Sequence, residues 1–152
     1  MEKILVSACL LGNPVRYDGE SRPYAAVQAL AERYELVPVC PECLGGLPIP
    51  RTASEIDMHG GGERVVSSEG EDRTAAFVEG GRRCVEIARQ EGCSIAVMKA
   101  KSPSCGSGLV YDGTFSGCLV PGDGIATRML KAAGIRVFSE AEVTPYGELG
   151  IG

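Results

Sequence analysis

Seven cysteines are spread through this 152-residue chain, at positions 9, 40, 43, 84, 93, 105 and 118, beside a single histidine, His59. Thiolates bind soft metals, act as nucleophiles and exchange with disulfides. Seven is odd, so the cysteines cannot all pair within the chain. In a reducing compartment structural disulfides are not expected, and excess cysteine points to metal binding or catalysis. Several of the 21 glycines lie beside them, as in Cys43-Leu-Gly-Gly, Cys105-Gly and Gly117-Cys118. Glycine there lets backbone approach a bulky ligand.

The elements that must position these thiols read as alternating strands and helices. Lys3–Ala8 is a short apolar run of β-favouring residues that ends at Cys9. Pro23–Tyr34 reads as a helix with Ala26, Leu30 and Tyr34 on one face and Pro23 in its first turn. Glu35–Val39 is a second strand, ending at Cys40. Residues 40–51 hold three prolines and two glycines and are expected to be irregular. Residues 52–71 are polar and glycine-rich and are expected to form a flexible excursion, with Arg64–Ser68 as a strand inside it. Asp72–Gln90 is a long helix capped by Asp72, interrupted by Gly80-Gly81 and stopped at Gly92. Its apolar face includes Phe77, Cys84, Ile87 and Ala88. Ser94–Ala100 is a third strand, 101–108 a loop, 110–117 a short hairpin or connector, 123–133 a helix and Ile135–Phe138 a fourth strand. The tail from Thr144 is expected to be loosely held. This order predicts one α/β domain over 1–152, a Rossmann-like three-layer open sheet, mostly parallel, with helices on both faces.

In open parallel sheets, ligands sit beyond the carboxyl ends of the strands. Cys9 closes the first strand, Cys40 the second, and Cys105 lies in the loop after the third. If those strands are neighbours, the three thiols meet at one edge. Three converging thiolates bind zinc or an iron–sulfur cluster. Structural zinc usually takes four protein ligands, and the only close pair here is Cys40-Pro-Glu-Cys43. A cubane cluster on three cysteines leaves one iron open for a substrate atom.

Other residues read in two ways. Cys40 and Cys43 alone form a CxxC pair after a strand, as in thiol redox modules, although the Leu-Gly-Gly-Leu-Pro-Ile-Pro that follows would break the helix such motifs open. Cys84, Cys93 and Cys118 read as small apolar residues, and His59 as solvent-exposed. Glu42 beside Cys40 is a candidate general acid or base. Ser102 and Ser104 can donate to cluster sulfur or substrate, and Arg51 can anchor an electronegative ligand. Lys99 and Lys101 belong to the same edge.

Fifteen basic against 20 acidic residues give a net charge of −5 without a long basic stretch, which argues against nucleic acid as partner. The longest apolar runs, Ile4–Ala8 and Ser94–Met98, are strand-sized, so a membrane span is not expected. The first residues read directly as a strand rather than a secretion signal, and the expected compartment is the cytoplasm.

Four motifs, Ser7-Ala-Cys-Leu-Leu-Gly12, Val39-Cys-Pro-Glu42, Leu44-Gly-Gly-Leu-Pro-Ile-Pro-Arg51 and Lys101-Ser-Pro-Ser-Cys-Gly106, resemble the signatures of a bacterial domain family whose characterised relatives are thiouracil desulfurases, also termed desulfidases. The resemblance runs from Lys3 to about Phe138. It implies an oxygen-sensitive [4Fe–4S] cluster on Cys9, Cys40 and Cys105, with the fourth iron open. It implies non-redox removal of sulfur from a thionated nucleobase such as 2-thiouracil, with hydrogen sulfide released, Glu42 as acid/base and Ser102 assisting. Ser104 and Arg51 are the expected substrate contacts. The position of Cys43 is usually aliphatic in that family, so Cys43 is not expected among the ligands. The expected partner is a small thio-compound, and the expected state a monomer or homodimer. Two rival readings stand beside this one: a metal-binding or thiol redox module on Cys40 and Cys43, and a sulfur carrier.

Overall fold

The computed structural model describes residues 1–149. Strand β1, Lys3–Ser7, lies at the heart of a four-stranded sheet. A short helix, α1 (Ala25–Gln28), continues as a 3₁₀ turn over Ala29–Glu32 and leads to β2, Glu35–Val39. One helical turn, α2 (Pro41–Leu44), follows directly. The small strands β3 (Ser54–Ile56) and β4 (Val65–Ser67) form an antiparallel hairpin. Then come the long helix α3 (Thr74–Glu91), β5 (Ile95–Met98), a second hairpin of β6 (Leu109–Tyr111) and β7 (Leu119–Pro121), helix α4 (Ile125–Ala132) and β8 (Arg136–Ser139).

The sheet order is β2-β1-β5-β8, every pair parallel. Alternation along the strands divides the core. Leu5, Ala96 and Met98 face α3 and α4, meeting Cys84, Ala88 and Leu130. Ile4, Val6, Val97 and Phe138 face the opposite side, meeting Val27, Leu30 and Val143. Helical segments therefore cover both faces, as a Rossmann-like α/β sheet requires. Pro38 is tolerated in β2 because that strand is an edge, paired only with β1.

Several expectations are corrected. The expected helix over 23–34 shrinks to one short helix and a 3₁₀ turn, buried through Val27 and Leu30. The segment after Cys40, expected to be irregular, makes one turn of helix with Cys40 as its N-cap and Pro41 at its first position. Proline costs nothing there, because that N–H has no intrahelical partner. Gly45 and Gly46 end the turn, Gly46 at φ +93°. Gly80 and Gly81 do not interrupt α3. They let other backbone approach it: a Cβ on Gly80 would overlap the Pro41 carbonyl, and one on Gly81 would lie 2.6 Å from Met129 Sδ. A Cβ on Gly45 would likewise overlap the Ala76 carbonyl.

The excursion over 52–71 contains the β3–β4 hairpin, whose Ile56 and Val65 are buried with Phe77, Val110 and Ile125. Arg73 ties it down, donating to the Thr52 carbonyl, Thr52 Oγ1 and Ser54 Oγ. Arg73, not the expected Asp72, is the N-cap of α3, and Asp72 Oδ1 accepts the Thr74 amide at 2.9 Å from one residue further out. Cys118, expected to be a small apolar residue, is exposed, whereas Cys84 and Cys93 are buried. The tail expected from Thr144 folds back: the Thr144 amide donates to the Glu148 carbonyl at 2.7 Å. The remainder of that tail, residues 150–152, lies outside the described residues. No helix among the described residues is long and apolar enough to cross a membrane.

The α2–α3 contact makes Gly80 a sensitive position. Helix propensity alone favours Gly80→Ala by about 1 kcal/mol. Overlap with the Pro41 carbonyl should instead reverse the sign and destabilise the fold by ~1–3 kcal/mol. Urea unfolding of the metal-free protein measures the difference, and a Gly80→Ala midpoint at or above that of the parent chain would refute the close contact.

Candidate active site

The carboxyl ends of β1, β2 and β5 open on one cavity of about 560 Å³. Cys9, Cys40 and Cys105 all line it, as do Glu42, Arg51, Ser102 and Ser104. Each thiol is placed by a different device. Cys9 lies in a 3₁₀ turn, Ala8–Leu11, closed by Gly12 at φ +98°. The Cys9 carbonyl accepts from the amides of Gly12 at 3.2 Å and Arg22 at 3.0 Å. Cys40 is the N-cap of α2. Cys105 sits in a loop folded around Ser102, whose Oγ accepts the amides of Ser104 and Cys105, each at 3.1 Å. That loop is fixed from outside by Thr127, whose hydroxyl donates to the Cys105 carbonyl at 2.8 Å.

Cys9 and Cys105 are buried and Cys40 half-buried, and burial is the main cause that raises each pKa. Cys105 is pushed up to about 12 by burial, a rise opposed by hydrogen bonds from the Ser7 and Ser104 hydroxyls and reinforced by Cys9 and Glu42. Cys40 is driven well above its ordinary range by burial, with Cys105 and Cys43 adding repulsion. Cys84, beneath the site on α3, is raised by burial and then by the neighbouring Cys105 and Cys40. Sulfurs that sense one another's charge in this way share one desolvated region. Cys43 is half-buried and does not line the cavity. Its Sγ lies 3.8 Å from the Val15 carbonyl oxygen, the same distance as Cys40 Sγ.

A polar chain runs beside Cys105, whose Sγ lies 3.6 Å from Ser104 Oγ. Ser102 Oγ already accepts two amides, so its own proton points to Ser104 Oγ at 3.0 Å. Ser104, almost fully buried, donates to Glu42 Oε2 at 2.9 Å. Arg51 Nε donates to Glu42 Oε1 at 3.1 Å. Both carboxylate oxygens are therefore engaged. Arg51, expected to anchor a ligand, commits one N–H of each of its nitrogens to protein. Its Nη1 donates to the Pro48 carbonyl at 3.0 Å and its Nη2 to the Val15 carbonyl at 3.1 Å. With 2% of its side chain exposed and 14% of Glu42, this is a buried pair that fixes the carboxylate. Lys99 is also occupied, 3.1 Å from Glu140 Oε2.

Sequence reasoning missed several wall residues. Arg16, Tyr17, Glu55, Tyr111 and Phe115 also line the cavity. Glu55 Oε1 accepts the amides of Gly113 and Phe115 at 3.0 and 3.1 Å, which presents the Phe115 ring at the mouth. Two non-glycine residues among those described have positive φ, Lys101 at 67° and Phe115 at 56°, and both line this cavity. Such backbone is costly for residues with a Cβ and tends to persist at functional sites. A phenylalanine in an otherwise polar, glycine-rich loop was the available signal. His59 stays outside the cavity, 2.9 Å from Asp112 Oδ2, with 67% of its side chain exposed.

The family model described as 2-thiouracil desulfurase matches residues 4–142. The Bacillus subtilis (strain 168) protein YbbK, described as uncharacterized, is 40% identical over 146 residues, covering 92% of this chain and 97% of its own. The solved structure of the [4Fe-4S]-dependent thiouracil desulfidase TudS superposes with a TM-score of 0.86 at 43% identity, covering 94% of this chain and 93% of that one.

The thiol environment has a direct consequence for the reduced, metal-free protein. In the fold Cys105 keeps its proton to pH about 12, whereas an ordinary thiol, as in the unfolded chain, titrates near 9. Between those values the unfolded state binds fewer protons, so stability falls as pH rises. The unfolding midpoint should therefore decline from pH 8 to 10.5, and decline less in Cys105→Ser. Alkylation at pH 8 should modify exposed Cys118 well before Cys84 or Cys105. Equal alkylation rates at the three positions would contradict the burial described.

Proposed function

The chain belongs to the 2-thiouracil desulfurase family, and we propose that it removes sulfur from a thionated pyrimidine such as 2-thiouracil, releasing hydrogen sulfide, at a [4Fe–4S] cluster held by Cys9, Cys40 and Cys105 with one iron left open. The observation that carries this reading is the meeting of three desolvated thiols and one clamped carboxylate in a single cavity.

The three cysteines that line the cavity, Cys9, Cys40 and Cys105, form an all-sulfur donor set, which suits an iron–sulfur cluster. Buried thiols also need a strong positive partner before they ionise, which a metal supplies. Bound there, the cluster provides a soft Lewis acid that prefers sulfur to oxygen.

The overall change exchanges one sulfur for one oxygen: thione and water become carbonyl and hydrogen sulfide, with no net electron transfer. This chain's residues manage the protons. Arg51 holds Glu42 in one orientation through Oε1. Rotation of the Ser104 hydroxyl frees Oε2 to take a proton from the attacking water. Oε2 then returns that proton toward the departing sulfur, the hydroxyl left by the water supplies the second as the carbonyl forms, and Ser104, still accepting from Ser102, donates to Oε2 again. Ser104 touches the carboxylate directly, and Ser102 acts through it. Phe115, Tyr111 and Tyr17 give the mouth aromatic surface suited to a flat heterocycle.

One rival has an observation in its favour. Cys40 and Cys43 share the Val15 carbonyl, close enough in space for a thiol redox pair. Variants separate the readings. Anaerobic reconstitution should yield about four irons per chain, as a single [4Fe–4S] cluster requires, and Cys105→Ala should abolish it while Cys43→Ala retains it. Cluster loss in Cys43→Ala with retention in Cys9→Ala would overturn the ligand set. Glu42→Gln should keep the iron and lower the rate of sulfide release from 2-thiouracil by ~10²–10⁴-fold. Protein that binds sulfide without turnover would instead be a carrier.

A further inference from the structure

Of the three proposed cluster ligands, Cys9 and Cys105 are buried and Cys40 is half-buried. Cys40 is therefore the ligand that a small oxidant reaches most easily once no cluster covers it. It is also the one with a further thiol at hand. Cys43 follows three residues later in the single turn of α2, whose N-cap is Cys40, and it too is half-buried. Residues three apart in a helical turn stand about 5–6 Å apart at Cβ. A disulfide brings its Cβ atoms to about 3.5–4.5 Å, so a closure of about 1–2 Å within one turn suffices.

The two sulfurs already face one acceptor, the Val15 carbonyl oxygen, each at 3.8 Å. That oxygen also takes Arg51 Nη2 at 3.1 Å. A carbonyl has two lone pairs, so three donors compete for two places. Binding iron would take the proton from Cys40 and leave Cys43 its place at Val15. Joining the two sulfurs removes both thiol donors and ends the competition by another route. Of the neighbouring thiols, Cys43 bears on Cys40 by hydrogen bonding, and Cys105 by charge alone. Cys43 does not line the cavity, so the desulfurising chemistry leaves it idle.

We propose that Cys43 guards Cys40 in the cluster-free protein by closing a reversible Cys40–Cys43 disulfide when peroxide arrives. The proposal rests on the desulfidase reading, in which Cys40 holds the cluster and Cys43 does not. The O–O bond of hydrogen peroxide breaks on one thiol: one oxygen stays on that sulfur as a sulfenic acid, and the other leaves as water. The second thiol attacks the sulfenic sulfur, the S–S bond forms, and the hydroxyl leaves with the thiol proton as a second water. The pair gives up two electrons and the peroxide gains them. A dithiol reductant returns both electrons and both protons, and is itself left as a disulfide. Without Cys43, a sulfenic acid on Cys40 meets further peroxide and becomes a sulfinic acid, which dithiols do not reduce.

The test treats the reduced, cluster-free chain with hydrogen peroxide and then digests it with trypsin. Cleavage after Arg33 and Arg51 releases Tyr34–Arg51, which holds Cys40 and Cys43 and no other cysteine. Mass spectrometry should find this peptide lighter by two hydrogens and closed to alkylation, and open again after dithiothreitol. Untreated Cys43→Ser should take up iron as the parent chain does. After peroxide, dithiothreitol and anaerobic reconstitution, the parent should recover its iron. Cys43→Ser should lose most of it and carry a sulfinic acid at Cys40. A bridge from Cys40 to Cys9 or Cys105, a peptide still open to alkylation, or equal recovery in the variant would overturn the proposal. Failure of untreated Cys43→Ser to take up iron would overturn it too, by placing Cys43 among the ligands. A peptide that closes and reopens in a chain that never takes up iron would sink the desulfidase reading and the guard with it, leaving a thiol redox pair.

Discussion

Parallel pairing of β1 with both β2 and β5 is the constraint on which the rest of the molecule depends. Leu5 pairs with Val37 on one side and with Ala96 on the other. Parallel strands send all their carboxyl ends to one edge. The chain leaves β1 for β2 on one side, then crosses back to β5 on the other. The loops after these strands therefore part above β1 and leave a crevice. Cys9, Cys40 and Cys105 have no sequence proximity, yet the sheet delivers all three to that crevice. A register slip of one residue would turn Leu5 and Val6 to the wrong faces, so the buried core on both sides enforces the alignment that the site needs.

The site keeps polar groups where burial makes them costly. A buried ion pair such as Glu42–Arg51 contributes little net stability, while removing one partner costs about 3–5 kcal/mol because the other is stranded. The value of the pair lies in orientation. Arg51 reaches Glu42 on the α2 turn, Pro48 in its own loop and Val15, and so ties the Cys40 turn to the loop that follows Cys9. Left-handed backbone at Lys101 and Phe115 adds local strain at the same cavity. Sheet, helices and the Arg73-anchored hairpin supply the rigid surroundings that hold this geometry in place.

Much of this was legible in the chain. Apolar runs at Lys3–Ser7, Glu35–Val39 and Ile95–Met98 are strands, and the helix over Thr74–Glu91 stops at Gly92 as read. Periodicity reports burial, and burial is what those residues share. The misread segments are the ones where a neighbour overrides local preference. Pro41-Glu-Cys-Leu44 forms a helical turn because Pro41 suits a first position and α3 supplies a surface to pack on. Gly80-Gly81 looked like a break, yet glycine is there to let Pro41 and Met129 come close. Residues 52–71 looked polar, although the two side chains that anchor them, Ile56 and Val65, were present all along.

The order of residues by itself determined the strand–helix alternation, and with it the placement of three thiols at strand ends. Those features are local, set by side-chain period, turn chemistry and the positions of cysteine in the chain. The tertiary structure decided which polar groups meet. Glu42 lies 62 residues from Ser104, and Arg51 lies 36 from Val15. Hydrogen bonds fall off within fractions of an ångström, so no spacing rule announces them.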